Sequence, residues 1–263
     1  MKRMTIMAVL AAGVALGLLA DVAEETEVAT GRCGTRNGLA NKTSKATEGG
    51  LHKKVQLWEG GPYWATTNIG ADEPWEYGYY FWWGDTVGYK RVDGAWVASD
   101  CVMTNFPFTA GNVPTCDKNI QVLRREGWLT VNNVLAPEHD AAHVHWGGKW
   151  RMPTNQELDD LCRYKCDWMW ITTNGVNGYV VRGRGSYATN SIFLPAAGFG
   201  YVCGTSLSSV RDIGLGGSYW SSVPHSDSKK AYELGFSLNG HSAYSPLFRG
   251  YVWSIRPVQG IDK

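Results

Sequence analysis

The segment PEHDAAHVHWGG gathers Glu138, His139, Asp140, His143 and His145. Imidazoles and carboxylates together suit zinc or nickel, so this is the first place to look for a metal. Spacing alone does not make a site, and the simpler reading is a solvated turn and helix start. Cys162 and Cys166 stand one helical turn apart, but no second cysteine pair lies near them, so zinc is again poorly supported and disulfides or buried thiols are the plainer account. No Gly-x-Ser-x-Gly elbow and no His-Glu-x-x-His helix occurs. A glycosidase needs two facing carboxylates, and the 24 Asp and Glu scattered along the chain single out no pair. Catalysis is left without residues to carry it, and the expectation is a chain with no catalytic residue, no metal and no cofactor.

Recognition is better supplied. The stretch VPHSDSKKAYELGFSLNGHSAYSPLFRGYVW mixes aromatic, acidic, basic and amide side chains, a composition that suits binding. Within it AYELGFSL alternates with a period of two, so Tyr232, Leu234, Phe236 and Leu238 are expected to face inward. Glu233, Ser237, His241, Tyr244, Tyr251 and Trp253 are then expected to face outward as the ligand-binding set, for a glycan or a protein.

These residues need elements to hold them. Short runs of Trp, Tyr, Phe and Val broken by Gly, Pro and Asn read as strands and turns from Leu51 to Ala110, and strand patterns return from Asn174. Between them RMPTNQELDDLCRYKC reads as a helix, with Thr154 and Glu157 forming a capping box and Leu158, Leu161, Cys162 and Lys165 on one face. Pro153 keeps the chain extended into the cap, Trp146 and Trp150 offer faces to pack on, and Arg151 can fork onto a carboxylate or carbonyl. Arg256 is expected to tie down the last strand. Strands do not alternate with helices, and no dinucleotide or phosphate-loop fingerprint occurs, so the class is α+β, loop-rich, with short antiparallel strands and few helices.

At the scale of the chain, Lys2 and Arg3 precede an apolar run, the layout of a secretory leader over residues 1–20; an uncleaved anchor is the alternative. Residues 21–50 hold no aromatic residue and few large aliphatic ones, and read as a flexible tether. All 13 Trp, 13 Tyr and 7 Phe follow, which makes residues 51–260 one domain with a substantial core. Net charge is +1 without a long basic run, so nucleic acid is not an expected partner. Export to an oxidising compartment would favour disulfides among the six cysteines.

Five segments in order, YWATTNIGADEPWEYGYYFWWGDT, DAAHVHWGGKWRMPTNQELDDL, SIFLPAAGF, GGSYWSS and GYVWSIRPV, resemble the Fibrobacter succinogenes major paralogous domain. The family pattern near DDAATVNWGG lacks the histidines found here, which argues further against a metal. WRMPTNQEL and GGSYW are also similar to segments of formylglycine-generating-enzyme-like domains, and the two resemblances together imply a C-type-lectin-like fold. Formylglycine-type oxidases use a cysteine pair near the C-terminal end, whereas the last third of this chain holds only Cys203, so the resemblance carries no oxidase activity. The Glu-Pro-Asn and Trp-Asn-Asp calcium triplets of some C-type lectins are absent as well. Such domains resemble the variable proteins of diversity-generating retroelements, whose ligand surface lies just before the C-terminus. The resemblance thus implies an exported, non-catalytic binding domain at the cell surface or secreted, with a structural or assembly component of the bacterial envelope as the alternative.

Overall fold

The computed structural model describes residues 52–93, 95–100, 112–203, 206–243 and 246–260, all within the unit Asn41–Lys263. The leader and tether readings fall outside these residues. In chain order the first elements are β1 (Lys54–Gln56), β2 (Tyr63–Ala65), β3 (Tyr89–Val92), β4 (Ala95–Ala98), α1 (Ile120–Arg125), α2 (Ala141–Trp146), β5 (Trp150–Arg151) and α3 (Asn155–Arg163). There follow β6 (Cys166–Thr173), β7 (Val176–Gly183), β8 (Ser191–Pro195), β9 (Phe199–Cys203), β10 (Ser206–Arg211), β11 (Gly216–Pro224) and β12 (Lys230–Ser237). The last are β13 (Gly240–Ser242), β14 (Leu247–Phe248), β15 (Tyr251–Val252) and β16 (Val258–Gln259). The class is α+β, with short antiparallel strands and few helices, as the sequence pattern implies.

The strands form small sheets. One runs β1-β2-β16-β5, so the last strand of the domain pairs with one of the first. A second runs β6-β7-β8, and a third joins β9 to β10 and β15. The fourth pairs β12 with β11 on one edge, and with β13 and β14 on the other.

Local rules place α3. Thr154 Oγ1 accepts from the Glu157 N–H, while the Glu157 carboxylate accepts from the Thr154 N–H, closing the capping box. Arg151 reaches the same carboxylate through both terminal nitrogens, at 2.8 and 2.5 Å, the fork its geometry favours. Leu158, Leu161 and Cys162 are buried, whereas Lys165 lies past the helix end and is exposed. The strand pattern resumes at Cys166, earlier than Asn174.

Trp64, Trp82, Trp83, Trp150, Trp220 and Trp253 are fully buried, which explains why so aromatic a chain needs few helices to fill its interior. Two arginines are buried with them. Arg256 donates to Asn68 Oδ1 and to the Ala65 and Phe193 carbonyls at 2.9 to 3.0 Å, binding the segment before β16 to two other parts of the chain. Arg249, which nothing in the sequence singles out, donates to the carbonyls of Thr115, Lys118 and Lys230 and lies over the Trp83 ring at 4.6 Å. Burial lowers both guanidinium pKa values to about 10.

Candidate functional site

An open cleft of about 590 Å³ lies where the start of β9, the turn before β11, the end of β12, β14 and β15 converge. Gly198 makes the corner possible. Its φ is +67°, and a Cβ there would sit 2.0 Å from the Arg211 carbonyl oxygen. Opposite, Asp212 accepts the N–H groups of Leu215 and Gly216 through its carbonyl, and Gly214 is held by the Ala196 carbonyl and Asn177 Nδ2. That fixed turn presents Leu215 to solvent at 68% exposure. Leu238, in the turn after β12, is 64% exposed, and Leu247 on β14 is 39% exposed.

These three are all of the exposed leucines among the residues whose side chains are described, and all three line this one cleft. Its inner wall is aromatic. Tyr251 stacks on Trp253 at 5.7 Å with 9° between planes, Phe199 meets Tyr251 edge-on, and Trp253 packs on Trp220 at 3.9 Å.

Of the six residues expected to form the ligand surface, Ser237, Tyr251 and Trp253 line this cleft. Trp253 does so from the core, at 2% exposure, so its expected outward position is corrected. Glu233 is also corrected: it is 3% exposed. The physical reason is that the β11–β12 pair is covered on both faces. Tyr219, Leu234 and Phe236 join the core cluster that contains α3, while Trp220 and Ala231 join another that contains Trp83, Trp253 and Ile255. Alternation then separates two interiors rather than core from water. Leu238 is corrected in the other direction, because β12 ends at Ser237 and leaves it in a turn. Tyr232 is half-buried beside His225. His241 does not line the cleft; it stacks on Trp168 at 4.1 Å, and burial lowers its pKa. Tyr244 lies outside the described residues. Leu215, Leu238, Leu247 and Ser218 are functional candidates that sequence patterns do not signal as surface groups.

Burial raises the pKa of Glu233 well above the usual carboxylate range, opposed by a hydrogen bond with Ser218. Burial therefore favours its protonated, neutral form. Its Oε2 has no hydrogen-bond partner, and neither has Trp253 Nε1.

The 138–145 segment is dispersed by its own hydrogen bonds. Asp140 caps α2, accepting from the Ala142 and His143 N–H groups, and also accepts from Met152 N–H at 2.9 Å. His139 stacks on Trp128 at 3.9 Å, and the His145 ring contacts the Thr86 carbonyl oxygen at 2.9 Å. Among the described residues no group of three or more His, Cys, Asp and Glu is arranged to hold a metal. Cys116, Cys162 and Cys166 are free thiols; Cys162 and Cys166 are buried, which is the thiol alternative of the two readings for that pair, whereas Cys116 departs from the expectation of disulfides at most cysteines. Burial pushes Cys116 up to about 11 and Cys166 up to about 12, and raises Cys162 as well, so none is a poised nucleophile. Asp85 is pushed up to about 6 by burial, in a pocket of about 240 Å³ that it shares with Glu138 and His139.

No family model, no curated protein and no solved structure matches the chain.

Proposed function

We propose that this chain is an exported, non-catalytic binding domain that recognises a protein ligand through the leucine-rimmed cleft. The observation that carries the reading is the convergence of Leu215, Leu238 and Leu247, the exposed leucines among the residues whose side chains are described, on one aromatic-walled cavity. Exposed apolar side chains oppose solubility when clustered, so a cluster held out by a fixed turn marks a surface that a partner covers. A sugar, with hydroxyls around its ring, gains less from such a rim than a peptide bearing apolar side chains does.

A C-type-lectin-like fold, related to the Fibrobacter succinogenes major paralogous domain, is part of the same proposal. Its support is the order of the five matching sequence segments, together with the pairing of β2 with β16 near the two ends of the domain. Secretion or display at the cell surface rests on the leader-like first residues, and diversification of the C-terminal segment on its position between GGSYWSS and SIRPV. A glycan reading has an observation of its own: a second cleft of about 640 Å³ is lined by Trp75, Tyr77, Tyr80 and Trp96 beside Lys90 and Arg91.

The test is a combined peptide and glycan array probed with the wild-type domain and with L215E/L238E. Both leucines are more than half exposed, so the double substitution should shift stability by less than about 1 kcal/mol. Peptides retained by the wild type and lost with L215E/L238E are the expected result. Peptide retention that survives the substitution overturns the cleft assignment, and retention of glycans alone favours the second cleft.

A further inference from the structure

Trp75 stands apart from the other tryptophans. All 13 lie among the described residues, and every other one meets a ring, a cation or a hydrogen-bond partner. Trp75 meets none of these among the described residues. It is half-buried and lines the second cleft, whose volume of about 640 Å³ is that of a small-ligand pocket.

Its position is fixed by the turn that carries it. The Glu76 carboxylate accepts from the Asp72 N–H at 2.7 Å and from the Glu73 N–H at 3.3 Å, and the Glu76 N–H donates to the Glu73 carbonyl. Asn68 Nδ2 donates to the Tyr77 carbonyl, the Tyr79 N–H to the Ile69 carbonyl and Lys90 Nζ to the Gly70 carbonyl, so both ends are pinned. Gly78 has a φ of +71°, and a Cβ there would fall 2.4 Å from the Ile69 carbonyl oxygen. A large ring held half out of the core by a fixed turn, with nothing packed on it, is a surface for a ligand to stack on.

The polar groups beside it are within a ligand's reach. The Tyr77 hydroxyl lines the same cleft and has no hydrogen-bond partner among the described residues. Like the Trp75 indole nitrogen it keeps contact with solvent, whereas the unpaired indole nitrogens of Trp64, Trp82, Trp150 and Trp253 are sealed. Asp72 and Asp93 also line the cleft and are exposed. The two cations are engaged already: Lys90 lies over the Tyr79 ring at 5.0 Å as well as on Gly70, and Arg91 over the Trp96 ring at 5.9 Å.

This combination calls for a molecule with a flat apolar face and hydroxyl groups around its edge. A pyranose with equatorial hydroxyls has both, C–H bonds on its faces and O–H groups at its rim. An aliphatic chain would strip water from Tyr77 and the carboxylates and return no hydrogen bond. An anion would face Asp72, Glu76 and Asp93, which outnumber Lys90 and Arg91.

We propose that the second cleft is a separate binding site for a neutral sugar, which stacks a pyranose face on Trp75 and hydrogen-bonds through its hydroxyls to Tyr77, Asp72 and Asp93. The two clefts share no lining residue, so the site stands whether or not the leucine-rimmed cleft takes a peptide.

The test titrates the 15N-labelled full chain with methyl β-D-glucopyranoside and follows the Trp75 indole N–H by NMR, assigned by its loss in W75A. Sorbitol, which has hydroxyls but no ring, and methyl β-D-glucopyranosiduronate, which adds a negative charge, are run beside it. The glucoside is expected to shift the Trp75 resonance to saturation, sorbitol to leave it in place, and the uronate to bind more weakly. W75A should weaken glucoside binding, read from the backbone amides around the cleft, at least about tenfold. L215E/L238E should bind the glucoside as wild type does. If W75A fails to fold, the comparison of glucoside with sorbitol on the wild type still decides. An unmoved Trp75 resonance, or an equal response to sorbitol, overturns the sugar site, and unchanged affinity in W75A overturns stacking on Trp75. Tighter binding of the uronate overturns the neutral class, and loss of glucoside binding in L215E/L238E overturns the separation of the two sites.

Discussion

Glu233 and Trp253 carry the main corrections to the sequence reading, because both side chains are buried. Glu233 holds its proton in the folded state at a pH where the unfolded chain, near the ordinary value of 4.5, has lost it. A folded pKa raised above the unfolded one gives stability that is fully present below the unfolded value and is lost as pH rises through the folded value. E233Q removes this loss. Its melting temperature relative to wild type should therefore climb as pH is raised from 4 through 8, and a constant difference across that range would contradict the buried, neutral acid. Trp253 and Tyr251 separate core from surface in the same way. W253A should cost about 3–5 kcal/mol in denaturant titration, since it empties a packed indole site against Trp220, whereas Y251A, at a half-buried position, should cost clearly less. Equal costs would place both side chains in one environment.

At the scale of elements, what was legible in the sequence was local. The Thr154–Glu157 capping box lies within one helical turn, and the structure closes it as the spacing requires. T154A should remove about 1 kcal/mol of stability; a change near zero by chemical denaturation would mean that Arg151 alone holds Glu157 in place. The outward face of β12 was not legible. Its alternation is real, but the decision about which side meets water belongs to α3 on one face and to Trp253 on the other, elements far away in the chain. Leu238 shows the companion error, because a pattern read one residue past the strand end points a side chain at a core that is no longer there. Arg151 and Arg256 were legible in type and role, but Arg249 was not. Its partners are backbone carbonyls at 115, 118 and 230, and carbonyls leave no trace in residue identity.

For the whole molecule, composition defined one aromatic-rich domain of α+β class, and the described residues bear out the class. The site was half legible: Ser237, Tyr251 and Trp253 lie at the cleft, but its rim is made of leucines that pattern analysis assigns to cores. They are surface residues only because a fixed turn, a strand end and a two-residue strand hold them out. The claim that this rim recognises a peptide is tested most directly by isothermal titration calorimetry of an array-selected peptide against the wild-type domain and L215E/L238E, at several temperatures. The account predicts one-to-one binding with a negative heat-capacity change, weakened at least about tenfold in L215E/L238E while its melting temperature stays near that of wild type. Equal affinity for both proteins would contradict it.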